Sequence, residues 1–257
     1  MAYTVAFAGK GGTGKTTITG MMIDWLCKNH KTPVLAVDAD ANSNLNEVLG
    51  VEVETTLGEI REIIASSGDM DADSPIPPTM SKKDYLDYKF NRAVIEDDDF
   101  DLIVMGRTQG RGCYCFVNDL LSAQLKKLED NYKYMIVDNE AGMEHISRGI
   151  LPQVNLIVLV SDCSRRGIQA VGRIQKLVKD MNLGAEKIVL IVNRAPNGEL
   201  NDGIKEEIQI QELELIGVVP QDEQVYEYDC EGKATSKLPD SSLARAQVNI
   251  IAEKLFS

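Results

Sequence analysis

Apolar residues along this chain fall into two alternating patterns. Continuous apolar runs, of the length a buried parallel strand needs, occur at Tyr3–Phe7, Pro33–Val37, Phe100–Met105, Tyr134–Asp138, Leu156–Val160, Lys187–Val192 and Leu215–Val219. Between them, apolar positions recur three and four residues apart, the period of a helix with one buried face. The first such stretch, Thr16–Lys28, gathers Ile18, Met21, Met22, Trp25 and Leu26. Further helices are expected at Asn42–Leu49, Leu57–Ala65, Ser81–Ile95, Asn118–Leu128, Arg166–Met181, Asp202–Glu212 and Ser242–Leu255. Ser66–Ser81, with Gly68, Pro75, Pro77 and Pro78 among acids and serines, reads as a surface loop. Strand–helix alternation over the whole length predicts an α/β fold: a doubly wound, mostly parallel sheet of seven to eight strands with helices on both faces. No repeat or linker interrupts it, so residues 1–257 are expected to form a single domain.

The first strand–helix junction carries the most specific signal. Ala8-Gly9-Lys10-Gly11-Gly12-Thr13-Gly14-Lys15-Thr16-Thr17 has the spacing of a phosphate-binding loop, whose backbone N–H groups cradle phosphate oxygens. Gly9, Gly11, Gly12 and Gly14 permit backbone angles closed to other residues and let phosphates approach the main chain. The helix that follows adds unpaired donors and a partial positive charge. Lys15 is placed to reach the β- and γ-phosphates and the Thr16 hydroxyl to bind Mg²⁺, with Thr13 and Thr17 beside them. A ligand-free glycine turn has no need of the complete pattern. The Asn-Lys-x-Asp signal of guanine-specific enzymes is missing, which favours ATP/ADP.

Charge changes the picture modestly. Lysine and arginine number 27 against 40 acids, a net charge of −13. Such a surface repels nucleic acid and anionic lipid, so neither is an expected partner. It suits a protein partner or a cationic cargo, and serves solubility equally well. Met1 leads straight into the first strand and no apolar run approaches a membrane span. A cytoplasmic location is therefore expected, with the five cysteines reduced.

Lys10 lies outside the general loop pattern. With it, Lys10-Gly11-Gly12-Thr13-Gly14-Lys15-Thr16 resembles the deviant phosphate loop of the MinD/ParA and nitrogenase iron protein class of P-loop ATPases. The resemblance implies that Lys10 reaches across a dimer to the partner's phosphates. By charge alone it serves its own subunit's nucleotide equally well. Asp138 resembles the strand-end acid that holds Mg²⁺ through water, and Asn139-Glu140-Ala141-Gly142 the switch after it, with the Gly142 N–H offered to the γ-phosphate. Asp40 resembles the acid that positions or activates the attacking water, and Asp38 its neighbour near Mg²⁺. Asn193, followed by Arg194, resembles the base-contacting asparagine, with the loop after Pro220 flanking the base. Each of these strand-end residues also suits an ordinary turn.

Gly110-Arg111-Gly112-Cys113-Tyr114-Cys115 is more discriminating. In an extended segment Cys113 and Cys115 project to the same side. Two thiolates supply half of a tetrahedral metal site, and a symmetric dimer can supply the other half. Buried unpaired thiols or a chance pair fit the same spacing. Together with the deviant loop and the run Asp138–Gly149, the segment resembles the carbon monoxide dehydrogenase accessory ATPases, the CooC family. That resemblance covers nearly the whole length. It implies an ATP-hydrolysing homodimer that binds Ni²⁺ or Zn²⁺ through Cys113 and Cys115 at its interface. It further implies assistance with nickel insertion into carbon monoxide dehydrogenase or acetyl-CoA synthase. Ala41-Asn42 departs from the proline and acid that many members carry there. A positioning ATPase of the MinD/ParA kind explains the loop and leaves the cysteines unused. An iron–sulfur ATPase shares cysteines across a dimer but takes them from separate segments. Cys27 reads as packing and His30 as a helix-end residue, and His145, beside the second switch, suits a switch contact or a plain helix position better than a metal ligand.

Overall fold

The structure is a computed structural model. It describes all residues except 41, 43, 67–75, 78, 107–114, 141–153 and 181–184, and the backbone alone at 65–66 and 115–121. Strands β1 (Tyr3–Ala8), β2 (Val34–Ala39), β3 (Ile95–Glu96), β4 (Phe100–Val104), β5 (Tyr134–Asn139), β6 (Leu156–Asp162), β7 (Lys187–Ala195) and β8 (Leu215–Pro220) form one eight-stranded sheet. Their order is β3-β4-β2-β5-β1-β6-β7-β8, and every pair is parallel except β3–β4. The chain places β2, β3 and β4 on one side of β1, returns to insert β5 between β2 and β1, then crosses to β6 on the other side. Ligands of open α/β sheets bind at such a reversal, outside the carboxyl ends of the strands.

The helices are α1 (Lys15–Lys28), α2 (Leu45–Leu49), α3 (Leu57–Ser66), α4 (Lys82–Ala93), α5 (Cys115–Glu129), α6 (Arg165–Asp180), α7 (Asp202–Ile210), α8 (Glu223–Cys230) and α9 (Leu243–Phe256). They cover both faces of the sheet. Val5, Phe7, Ala36 and Ile136 pack with Ile18, Met22, Leu45 and Ile251 from α1, α2 and α9. Ala6, Val37, Met135 and Val137 pack on the other side with Ile60, Leu86, Leu125 and Ile168 from α3, α4, α5 and α6. Neighbours along each strand thus enter opposite cores, as period-two alternation requires. Burial on both faces is why the strands read as unbroken apolar runs.

Several elements differ from the sequence expectation. β3 has two residues, too few to show a period, and pairs antiparallel at the sheet edge. α8 was expected as loop, since its acidic, tyrosine-rich sequence presents no buried face. β2 and β7 run past their apolar cores to Ala39 and Ala195, which places Asp38 and Asn193 inside strands. Ser242 precedes α9 as its cap, with Oγ accepting from Arg245 N at 3.1 Å. Cys115 opens α5, three positions before the expected helix start at Asn118. Cys113 lies outside the described residues, and the Cys115 backbone is helical where an extended segment was expected.

α9 is fastened to α1 by a buried cation. Arg245 is 2% exposed; its Nη1 donates to Ser236 O at 2.7 Å and to Leu238 O at 2.6 Å, and its Nη2 pairs with Asp24. Asp24 also meets Lys28, which is largely exposed, at 3.0 Å. Removing one member of a buried pair strands the other's partners, whereas exposed pairs contribute little. Arg245→Leu is therefore expected to cost about 3 kcal/mol in urea unfolding. Lys28→Ala should cost less than about 1 kcal/mol.

Candidate nucleotide site

β1 delivers the chain to the phosphate loop at the centre of the sheet. At Gly9 the backbone passes so close to β6 that a Cβ would stand 2.1 Å from Val160 O. Gly14 takes φ 84°, a left-handed conformation, as the residue preceding α1. A Cβ there would also meet Asn193 Nδ2 at 2.4 Å. The loop is braced internally by Thr13 Oγ1, which donates to Lys10 O at 2.9 Å. β7 braces it from outside: Asn193 Nδ2 donates to Thr13 O at 2.9 Å and Arg194 Nη1 to Gly12 O at 3.0 Å. A cavity of about 1050 Å³ lies over the loop, lined by Gly11, Gly12, Lys15, Thr16, Asp40 and Arg194 among others. Thr17 lines it too, while Lys10 is exposed and lines neither this cavity nor the next.

Beneath the cavity sit two acids. Asp38 and Asp138 are in register on β2 and β5, and both are buried. Burial pushes Asp138 up to about 7, with its neighbour Asp38 adding to the rise and the Thr16 hydroxyl and Lys15 opposing it. Thr19 Oγ1 also donates to Asp138 Oδ1 at 3.4 Å. Burial likewise pushes Asp38 up to about 6, against hydrogen bonds from Leu45 N and Asp40 N, each at 3.0 Å. Asp40 accepts from Asn42 N at 2.8 Å and faces the cavity. Buried carboxylate and hydroxyl oxygens form the hard donor set that Mg²⁺ prefers. The residues present therefore fit the ion, with Thr16 and Asp138 placed to hold it and Asp38 shaping the turn to Leu45.

A second cavity of about 580 Å³ opens beside the first, lined by Gly14, Met21, Asn193, Pro220, Val225 and Tyr226 among others. Asn193 and Pro220 thus come together, as expected for a base pocket. Half of the Asn193 amide is already committed, to Thr13 and through Oδ1 to its neighbour's N–H. The stretch after Pro220, expected to flank the base as a loop, forms one wall as α8. Thr19 was missed, although it stands one helical turn after Lys15 and donates to Lys15 O at 2.9 Å.

Gly142, Cys113 and His145 lie outside the described residues, and Cys115 is described in backbone alone. Among the described residues no group of three or more His, Cys, Asp or Glu is arranged to hold a metal ion. Cys27 is a packing residue: it is buried, donates to Asp99 O at 3.4 Å, and burial raises its thiol to about 12. His30 sits past the end of α1 at φ 54°. No helix among the described residues is long and apolar enough to cross a membrane.

Known proteins share this arrangement. The family model of the CobQ/CobB/MinD/ParA nucleotide binding domain matches residues 4–235. An uncharacterized ATP-binding protein of Methanocaldococcus jannaschii is 38% identical over 255 residues, 98% of this chain and 98% of that protein. The carbon monoxide dehydrogenase accessory protein CooC of Rhodospirillum rubrum is 28% identical over 239 residues, 89% of this chain and 87% of that protein. Among solved structures, the septum site-determining protein MinD of Pyrococcus horikoshii, complexed with Mg-ADP, matches with a TM-score of 0.71. That match has 20% identity and covers 100% of this chain and 97% of the other, a likeness of fold.

The raised acids set a pH dependence. Between the ordinary carboxylate range and about 6 to 7, the folded protein holds protons that the unfolded chain releases. Their contribution to stability is complete at low pH and is lost as pH rises through that window. A cation reverses the penalty by favouring the ionised forms. Thermal unfolding should therefore show a larger stabilisation by Mg-ADP at pH 8 than at pH 5.5, and Asp138→Asn should flatten the difference.

Proposed function

This chain belongs to the CobQ/CobB/MinD/ParA nucleotide-binding family, and we propose that within it the chain is a dimeric, Mg-dependent ATPase that handles a metal cargo. The observation that carries the ATPase reading is the convergence of Lys15, Thr16, Asp40 and the glycine loop on one cavity above the Asp38–Asp138 pair. Loop N–H groups and Lys15 hold the phosphates, and the base lies against Asn193, Arg194 and Pro220. Thr16 and Asp138 would hold Mg²⁺, which when bound would offset charge on the β- and γ-phosphates. Asp40, at the cavity rim, takes the proton of the attacking water. Lys10, exposed and outside the cavity of its own subunit, is free in direction to serve a partner's phosphates.

The cargo reading rests on Gly110–Cys115 together with the similarity to CooC. Cys113 and Cys115 of two subunits bind one Ni²⁺ or Zn²⁺, and nucleotide binding draws those subunits together. The client is a nickel-iron enzyme, carbon monoxide dehydrogenase or acetyl-CoA synthase. A second reading, a MinD/ParA-like positioning switch, uses the same nucleotide site and leaves Cys113 and Cys115 without a role; the CobQ/CobB/MinD/ParA domain model over residues 4–235 supports it equally.

Metal stoichiometry separates the two. Anaerobic titration with Ni²⁺ and Zn²⁺, alongside molar mass by light scattering, should find about one metal per dimer in the native protein and none in Cys113→Ser/Cys115→Ser. Unchanged binding in the variant, or none in the native protein, leaves the positioning switch. Independently, Asp40→Ala should lower ATP turnover by about 10²–10⁴-fold at near-unchanged ADP affinity. A parallel loss of ADP affinity would instead make Asp40 a binding residue.

A further inference from the structure

A nucleotide laid across the two cavities, phosphates over the loop and base against Asn193, carries its sugar through the place where they meet. Among the described residues, Gly14, Thr17, Arg194 and Asp229 line both cavities. Two helix faces build this junction. On one side Gly14, at the head of α1, lines the base cavity with Thr17, Ile18 and Met21, the three- and four-residue spacing of a single face. On the other, Asp222 caps α8 and lines the same cavity with Val225, Tyr226 and Asp229, at the same spacing. Asp229 is last on that face. It stands where the wall passes from the base cavity into the phosphate cavity, which Gly232 and Lys233 line after it.

Nothing local accounts for an acid at this position. Asp229 lies in the last turn of α8, the end at which the helix dipole disfavours negative charge. Glu227 and Glu231 stand two residues to either side and add repulsion. Asp229 is exposed, and its carboxylate makes no hydrogen bond or ion pair among the described residues. Phosphates repel it as well, so its place beside a phosphate cavity calls for a donor on the ligand. The amine of adenine is at the end of the base remote from the sugar. The donors a nucleotide offers at the junction are its ribose hydroxyls, and an ionised carboxylate, acceptor only, has an oxygen for each. Arg194 completes the chemistry: its guanidinium, held on Gly12 O at 3.0 Å, sets a cation at the junction for the α-phosphate joined to that sugar. In dinucleotide-binding α/β sheets an acid takes the same part, accepting from the ribose 2′-hydroxyl.

We infer that Asp229 reads the sugar of the nucleotide, its carboxylate accepting hydrogen bonds from the ribose hydroxyls and favouring ribonucleotides over deoxyribonucleotides. The inference rests on the nucleotide site proposed above. It adds a discrimination that the glycine loop does not supply, because loop N–H groups and Lys15 meet phosphates alone.

Calorimetric titration with ADP, 2′-deoxy-ADP and 3′-deoxy-ADP in the presence of Mg²⁺, on the native protein, Asp229→Ala and Asp229→Asn, tests this. The native protein should bind ADP about 10-fold more tightly than at least one of the deoxynucleotides, the scale of a hydrogen bond to a charged group. Asp229→Ala should bind all three within about twofold of one another, since the variant and the missing hydroxyl remove the same interaction. Asp229→Asn keeps an oxygen acceptor without the charge and should show a smaller preference than native. Equal native affinities for the three nucleotides overturn the inference. So does a preference for ADP that survives undiminished in Asp229→Ala, which would assign the sugar to another group. If Asp229→Ala fails to fold, Asp229→Asn decides, and an undiminished preference there is the contrary result. A native protein that binds none of the three overturns the nucleotide reading itself, and this inference with it.

Discussion

Two carboxylates held side by side in a dry place are what the nucleotide site depends on. Asp38 and Asp138 face each other across the β2–β5 ladder, and burial raises both. Side by side and unneutralised, they disfavour ionisation. A cation relieves them, and Lys15 and the Thr16 hydroxyl already lower Asp138. The apolar strands on either side fix this geometry: a slip of one residue would send either acid to the other face of the sheet. The parallel register of β2, β5 and β1 is therefore as much a part of the site as the glycine loop.

Asp38 joins two regions that the sequence presents separately. Its carboxylate holds the Asp40 and Leu45 N–H groups, shaping the turn that carries Asp40. Its carbonyl accepts from Met105 N at 2.8 Å, and Met105 O in turn accepts from Gly58 N at 2.8 Å. Met105 is the root of the stretch that runs through Gly106 toward Cys113 and Cys115. The same residue thus shapes the turn to Asp40, which lines the phosphate cavity, and holds Met105, from which the chain leads toward the cysteine segment. Any change that a nucleotide drives must come from its differential affinity for two arrangements, and this strand end is where both regions are covalently and hydrogen-bond adjacent.

A shared scaffold does not settle the work done on it. The loop, the paired acids and the cavity beside Asn193 serve either of the two readings proposed above. The difference lies in what is attached to the switch. In the reading proposed above that attachment is the Cys-x-Cys segment; its Cys115 opens α5, and α5 lies on the face of the sheet opposite α1.

The sequence by itself determined the sheet, the loop and the acids. Apolar runs of strand length alternating with helical periods required a parallel sheet covered on both faces, and the glycine spacing admitted few uses. Its pattern failed where length or polarity hid the period: β3 is two residues long, and α8 buries no residue fully. Tertiary structure decided the rest, because those choices depend on neighbours distant in the chain. Asp38 lies inside β2 because Met105 and Asp138 flank it there. Asn193, some 180 positions from Thr13, holds the loop's carbonyl. Asn139 at the end of β5 donates through Nδ2 to Phe7 O, 132 positions away. Local propensity carries no information about such pairings; packing of the whole sheet creates them.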